Sequence, residues 1–235
     1  DKILANTGRW SRKEVRELVR AGRVTVNGQV AALGDKADLA HDQVLVDGRP
    51  LPQKQTDRRT YLMLNKPRGY VSTLSDEKGR RTVAQLVSGC GCRVWPVGRL
   101  DMDSEGLLLL TDDGPLGHEL LSPKKHVDKV YLAQVEGRVD QSDVAALAEG
   151  MVLGDGLHCL PAGLKPLGDG STCLVTLREG KYHQVKRMLA ARGAPVLYLK
   201  RLSMGPLTLD AELPIGGWRE LTAEETASLR CIAGL

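Results

Sequence analysis

Residues 98–114 read GRLDMDSEGLLLLTDDG. The stretch sets Asp101, Asp103, Glu105, Asp112 and Asp113 around the run Leu107 to Leu110, in a chain whose net charge is +4. The leucine run closed by Thr-Asp-Asp-Gly reads as a buried strand or helix ending in a turn. Its acids admit three chemistries. Asp101, Asp103, Glu105, Gly106 and Asp112 fall at the spacing of a calcium-binding helix-loop-helix. The context rejects that match, because RVWPVGRL enters as an extended segment, Gly114-Pro115 follows, and Leu109 stands where a ligand is wanted. Two-metal phosphoryl chemistry needs further acids at a matching site, and adjacent Asp pairs are ordinary turn formers. The third chemistry is a single carboxylate, Asp101, kept ionised by basic neighbours such as Arg99 and ready to act as nucleophile or base.

At 235 residues, 42% hydrophobic and 26% charged, the chain has enough material for one large core and one small one. No stretch approaches the apolar length of a membrane span, and no basic-then-apolar segment opens the chain, so a soluble cytoplasmic protein without membrane contact is expected. Of five cysteines only Cys90 and Cys92 are close in sequence, and no second pair answers them, so no zinc or other metal site is expected.

Basic charge is concentrated early. SRKEVRELVRAGR, residues 11–23, predicts a helix capped by Ser11, with Val15, Leu18 and Val19 as its core face and Gly22 as its stop. Arg12, Arg16 and Arg20 recur every four residues on another side, a stripe suited to a phosphate backbone. RVTVNGQVA then predicts a hairpin turning at Asn27-Gly28, and QVLVDG a further strand closing the unit near residue 48. Residues 49–58 lack an apolar period and read as a linker. The domain expected over 59–235 carries strands in TYLMLNKPRGYV and STCLVTLRE. Its helices open at Pro115, run from a Ser142 cap to Gly150, and span YHQVKRMLAARG with Val185, Met188 and Leu189 inward. Strands separated by helices without regular alternation predict an α+β fold with a mixed or antiparallel sheet.

The helix, RVTVNG hairpin and DQVLVDG strand resemble the S4 RNA-binding domain over residues 1–48, and Asp1-Lys2-Ile3-Leu4 resembles the middle of that module's first helix, so a residue or two is expected to be missing before it. GRLDMDSEGLLLLTDDG, with LNKPRGYVST at 64–73, KVY at 129–131 and EGKYHQVKRM at 179–188, resembles the ordered motifs of S4-containing ribosomal pseudouridine synthases. The HQVKRM form is similar to the small-subunit type, implying a uridine of 16S ribosomal RNA. The alternatives are a large-subunit (23S) synthase or a non-catalytic S4 protein that only binds RNA.

The resemblance implies an isomerisation without cofactor or metal, in which uracil is detached at N1, turned, and rejoined at C5 to the same sugar carbon. It implies Asp101 as the catalytic aspartate, attacking the sugar or starting a proton-loss route. Tyr131 is implied as the tyrosine that packs on the base, and Lys186 as the cation paired with the aspartate. Arg99, Lys66 and Arg187, with the Arg12, Arg16 and Arg20 stripe, are expected to contact RNA. His183 is read as a helix hydrogen-bonding residue outside the catalytic set. The expected partner is ribosomal RNA or a subunit assembly intermediate, bound by a monomer. Physical chemistry fits this picture: extruding a stacked uridine costs about a few kcal/mol, and stacking on an aromatic ring returns about 1 to 3 kcal/mol.

Overall fold

The computed structural model describes the chain except residues 1, 8, 11, 40, 52–58, 123 and 124, and the side chains of Lys2 and Asn6. It divides into two compact units, Asp1–Arg59 with Cys92–Val94 and Thr60–Gly91 with Trp95–Leu235. The expected Ser11 cap and most of the expected linker lie outside the described residues.

The first unit holds α1 (Lys2–Asn6), α2 (Arg12–Arg20) and strands β1 (Val24–Val26), β2 (Gln29–Val30), β3 (Val44–Val46) and β4 (Arg49–Pro50), ordered β2-β1-β3-β4. Val15, Leu18 and Val19 of α2 join Leu4, Val24, Val44 and Val46 in one core, which leaves Arg12, Arg16 and Arg20 exposed. Asn27 and Gly28 both take positive φ, 51° and 82°, as a two-residue turn between right-twisted strands requires. One boundary moves: Arg49 and Pro50, expected in the linker, pair with Val46 and Leu45 of β3 and belong to this sheet.

The second unit is built on one mixed sheet. Its strands are β5 (Tyr61–Lys66), β6 (Trp95–Pro96), β7 (Glu105–Thr111) and β8 (Lys129–Val135). After a separate hairpin of β9 (Met151–Val152) and β10 (His158–Cys159) come β11 (Gly163–Leu167), β12 (Thr172–Leu177), β13 (Val196–Met204), β14 (Leu207–Thr208) and β15 (Trp218–Glu220). The order is β11-β12-β8-β13-β7-β5-β15, with β14 on β13 and β6 on β7. Only β13 and β7 run parallel, with Arg201 opposite Gly106; every other pair in this sheet is antiparallel among the described residues. The helices are α3 (Val83–Leu86), α4 (Gly114–Leu121), α5 (Gln141–Glu149), α6 (Gln184–Ala191) and α7 (Ala223–Ala233).

The leucine run is β7, buried at all four positions. A strand covered on both faces has no solvated side to alternate toward, which explains its unbroken leucine run and the apolar Tyr61–Leu64 stretch of β5. Leu107 and Leu109 share a core with Met63 of β5, Leu116 and Leu120 of α4 and Leu229 of α7. In β12 alternation survives, with Cys173, Val175 and Leu177 buried and Thr172, Leu174 and Thr176 partly exposed. The cap of α5 is Asp140 rather than Ser142: its carboxylate accepts from the Ser142 and Asp143 amides, and the helix begins one residue before Ser142. Aspartate accepts two amides at once, whereas the serine hydroxyl two residues later already lies inside the helix.

Candidate active site

The segment between β6 and β7 is pinned from below. Lys66, at the end of β5, is fully buried, and its ammonium donates to the carbonyls of Pro67 (3.0 Å), Asp101 (3.0 Å) and Ser104 (2.8 Å). Ser72 donates to the Leu100 carbonyl at 2.8 Å and accepts from the Leu100 amide at 3.0 Å, and the Gly69 amide donates to the Met102 carbonyl at 2.7 Å. These bonds fix both chain neighbours of Asp101. They also correct the reading of Lys66 as an RNA contact: its three protons are spent inside the fold, out of reach of a phosphate. Burial pushes its ammonium down to about 8, partly offset by Asp101, Asp103 and Glu105.

Above that support the Asp101 carboxylate meets α6. Lys186 Nζ donates to Asp101 Oδ2 at 3.1 Å and to Asp103 Oδ1 at 2.5 Å, so one ammonium bridges two acids. Burial would raise the Asp103 carboxyl, but the Lys186 hydrogen bond and charge outweigh it and hold Asp103 below the usual carboxylate range. The site is less dry than a sealed ion pair: the Asp101 and Lys186 side chains keep 29% and 20% of their exposure. His183, set aside in the sequence reading, brings Nε2 to 3.5 Å from Asp101 Oδ1. It precedes the first turn of α6 in left-handed backbone, φ 50°, and its ring stacks on Tyr182 with centroids 3.8 Å apart. Histidine is several-fold enriched among the non-glycine residues that take this uncommon backbone.

Two large cavities, of about 590 and 510 Å³, and a small one open at Asp101; the large two share Arg99, Asp101, Tyr182 and His183 as walls. Tyr131 of β8, buried, lines the second large one with Asp101, which α6 in turn pairs with Lys186, so the aspartate meets both the tyrosine and the lysine expected from sequence. Arg99 is exposed at the mouth of both. Arg187 is committed to Asp155 at 2.5 Å. The remaining acids of the opening stretch have structural partners. Glu105 accepts from Tyr198 Oη at 2.9 Å, Asp112 from the Thr60 amide at 2.8 Å, and Asp113 from the Leu116 amide at the start of α4 and from Tyr61 Oη. Among the described residues no group of three or more His, Cys, Asp or Glu could hold a metal ion, and no helix is long and apolar enough to cross a membrane. What the geometry provides is an anionic oxygen held by a cation at the edge of a space roomy enough for a base.

Comparison with known proteins agrees with this chemistry. A family described as RNA pseudouridylate synthase matches residues 60–191, and the S4 domain matches residues 1–44. An uncharacterized RNA pseudouridine synthase of Bacillus subtilis is 44% identical over 96% of this chain and 95% of its own length. Ribosomal large subunit pseudouridine synthase B of Bacillus subtilis is 38% identical over 99% of this chain and 95% of its own, and the protein of that name from Vibrio cholerae 38% identical over 97% and 73%. A crystal structure of a pseudouridylate synthase superimposes with a TM-score of 0.70 at 35% identity, covering 97% of both chains. The chain belongs to the RNA pseudouridylate synthase family, isomerases acting on RNA, and carries an S4 domain ahead of its catalytic domain.

Proposed function

We propose that this enzyme converts a uridine of large-subunit ribosomal RNA to pseudouridine, with Asp101 as the catalytic carboxylate, Lys186 as its counter-ion and Tyr131 as the ring that receives the base. The observation that carries the chemistry is the Asp101–Lys186 contact of 3.1 Å at the wall of the cavity that Tyr131 lines. Substrate choice rests on the relatives: those quoted above whose names state a substrate are large-subunit synthases, at 38% identity across nearly the whole chain. The small-subunit substrate expected from HQVKRM has no such support; that motif spans His183 and the start of α6, where it supplies the lysine for Asp101. In this reading a monomer acts on ribosomal RNA or an assembly intermediate without a small-molecule cofactor, and Arg99 contacts the RNA from which the base has left.

The test is to map pseudouridines in ribosomal RNA from cells lacking the protein. Loss of a large-subunit position, restored by the wild-type chain and not by Asp101→Asn, is the expected result. Asp101→Asn keeps the volume and removes the anion, so turnover should fall by about three orders of magnitude or more while the fold and RNA binding persist. Loss of a small-subunit position instead returns the other substrate, and an unchanged map overturns the reading.

A further inference from the structure

The catalytic cavity contains two cations that the roles above leave unused. In the pairing of β8 with β13, Arg201 stands directly opposite Tyr131, and Lys129 lies two residues before Tyr131 on the same face. All three line the 510 Å³ cavity with Asp101. Arg201 is 2% exposed and Lys129 8%. Arg201 Nε donates to the Leu107 carbonyl at 2.7 Å, while its Nη2 is buried with no partner. Lys129 Nζ donates to the Val127 carbonyl at 3.0 Å. The nearby acids are taken: Asp101 by Lys186, Glu179 by Lys181 at 3.2 Å and Gln184 at 2.6 Å, and Asp128, whose charge reaches Lys129, by Arg178 at 2.9 Å. Ser104 Oγ, another buried group without a partner, lines a smaller cavity of about 70 Å³ together with Tyr131 and Asp101.

Two adjacent buried cations without a carboxylate are expensive, and a buried guanidinium nitrogen with no acceptor is rare. Burial, then the neighbouring Arg201 charge, holds the Lys129 ammonium below the usual lysine range, with the Asp128 charge offsetting part of the effect. A ligand that brings acceptor oxygens and negative charge would satisfy both groups.

We propose that Arg201 and Lys129 form a subsite for the carbonyl oxygens of the extruded base and stabilise the negative charge that uracil acquires when it leaves the sugar. This rests on the isomerase reading above. When the N1–C1′ bond breaks, its electron pair stays on uracil and spreads from N1 onto the carbonyl oxygens. The sugar carbon is satisfied either by a bond from an Asp101 carboxylate oxygen or by loss of the C2′ proton to that carboxylate. In both routes uracil departs as an anion. The turned base then gives an electron pair from C5 to C1′ as the Asp101 carboxylate leaves C1′ with its C–O pair or, in the second route, as C2′ takes its proton back from the Asp101 carboxyl. C5 then loses its proton and N1 takes one up, so no atom is gained or lost overall and no oxidant is involved. Cations fixed in a dry wall stabilise such a charge far better than water does.

The experiment compares the full-length wild type with Lys129→Met on two transcripts of large-subunit ribosomal RNA, one containing uridine and one 5-fluorouridine, with enzyme in excess. Fluorine makes the departing anion less basic and less dependent on a cation. Lys129→Met is expected to slow uridine conversion about 100-fold, to slow loss of 5-fluorouridine several-fold less, to leave RNA affinity unchanged, and to melt no lower than the wild type. Equal slowing on both RNAs, no slowing, or a variant that melts lower or fails to fold assigns Lys129 to structure and overturns the proposal. A wild type that converts neither RNA is tried on small-subunit transcripts in the same two forms, and inactivity on all four shows instead that the proposed function has failed, and this proposal with it.

Discussion

Asp101 and Asp103 share one ammonium, and the sharing sets what its removal does. Because Asp101 and Lys186 keep 29% and 20% exposure, water partly replaces the partner when Lys186 is lost. Lys186→Met should therefore lower stability by only about 1 kcal/mol, nearer an exposed pair than a sealed one. Turnover should fall much more steeply, because the Asp101 carboxylate loses its fixed orientation; urea unfolding and tritium release from C5-labelled RNA measure the two effects separately. Lys66 makes a pH prediction. Its folded value of about 8 lies below the free lysine value of 10.5, so between them the unfolded chain binds more protons and stability due to this group rises with pH. Relative to Lys66→Met, the wild type should gain stability between about pH 8 and pH 10.5, as urea unfolding across that range would show; a difference independent of pH would mean that the ammonium is not destabilised by burial.

At the scale of elements, the catalytic segment depends on where β7 meets β13. Gly106 has φ 102°, and a Cβ there would lie 2.2 Å from the Arg201 carbonyl oxygen. Gly106→Ala should cost about 2 kcal/mol or more through strain and forced separation of the two strands, read as a lower Tm with reduced activity. Elements whose burial leaves a period were legible in sequence. Helix α2 is one, with Val15, Leu18 and Val19 inward, and the Asn27-Gly28 hairpin is another. The Leu107–Leu110 run was ambiguous between strand and helix, because burial on both faces erases the period that separates them. Asp101, Tyr131 and Lys186 were found through motif resemblance, whereas Lys129 and Arg201 were not: on a strand a buried cation and a solvated one look alike until the neighbouring strand is known. The Lys66 error has the same origin, since nothing local shows three carbonyls converging on its ammonium.

At the scale of the molecule, the proposed RNA contacts are distributed over both units. Replacing Arg12, Arg16 and Arg20 together with glutamine should weaken binding to ribosomal RNA and flatten the dependence of log affinity on log salt by roughly two to three units, as expected if each neutralises one phosphate. Filter binding from low to high salt would show it, and an unchanged slope would make the stripe a solvated helix face. The catalytic unit has a different long-range dependence. Asp101 and Lys186 are 85 positions apart in sequence, with the Arg201 strand following the lysine, and they meet only when β13 docks beside β7. Synthesis runs from the N-terminus, so the S4 unit and the aspartate leave the ribosome before the lysine exists. On the reading in which the Arg12, Arg16 and Arg20 stripe holds RNA, the nascent enzyme can for that interval hold RNA and not alter it, and a chain terminated ahead of α6 would stay in that condition.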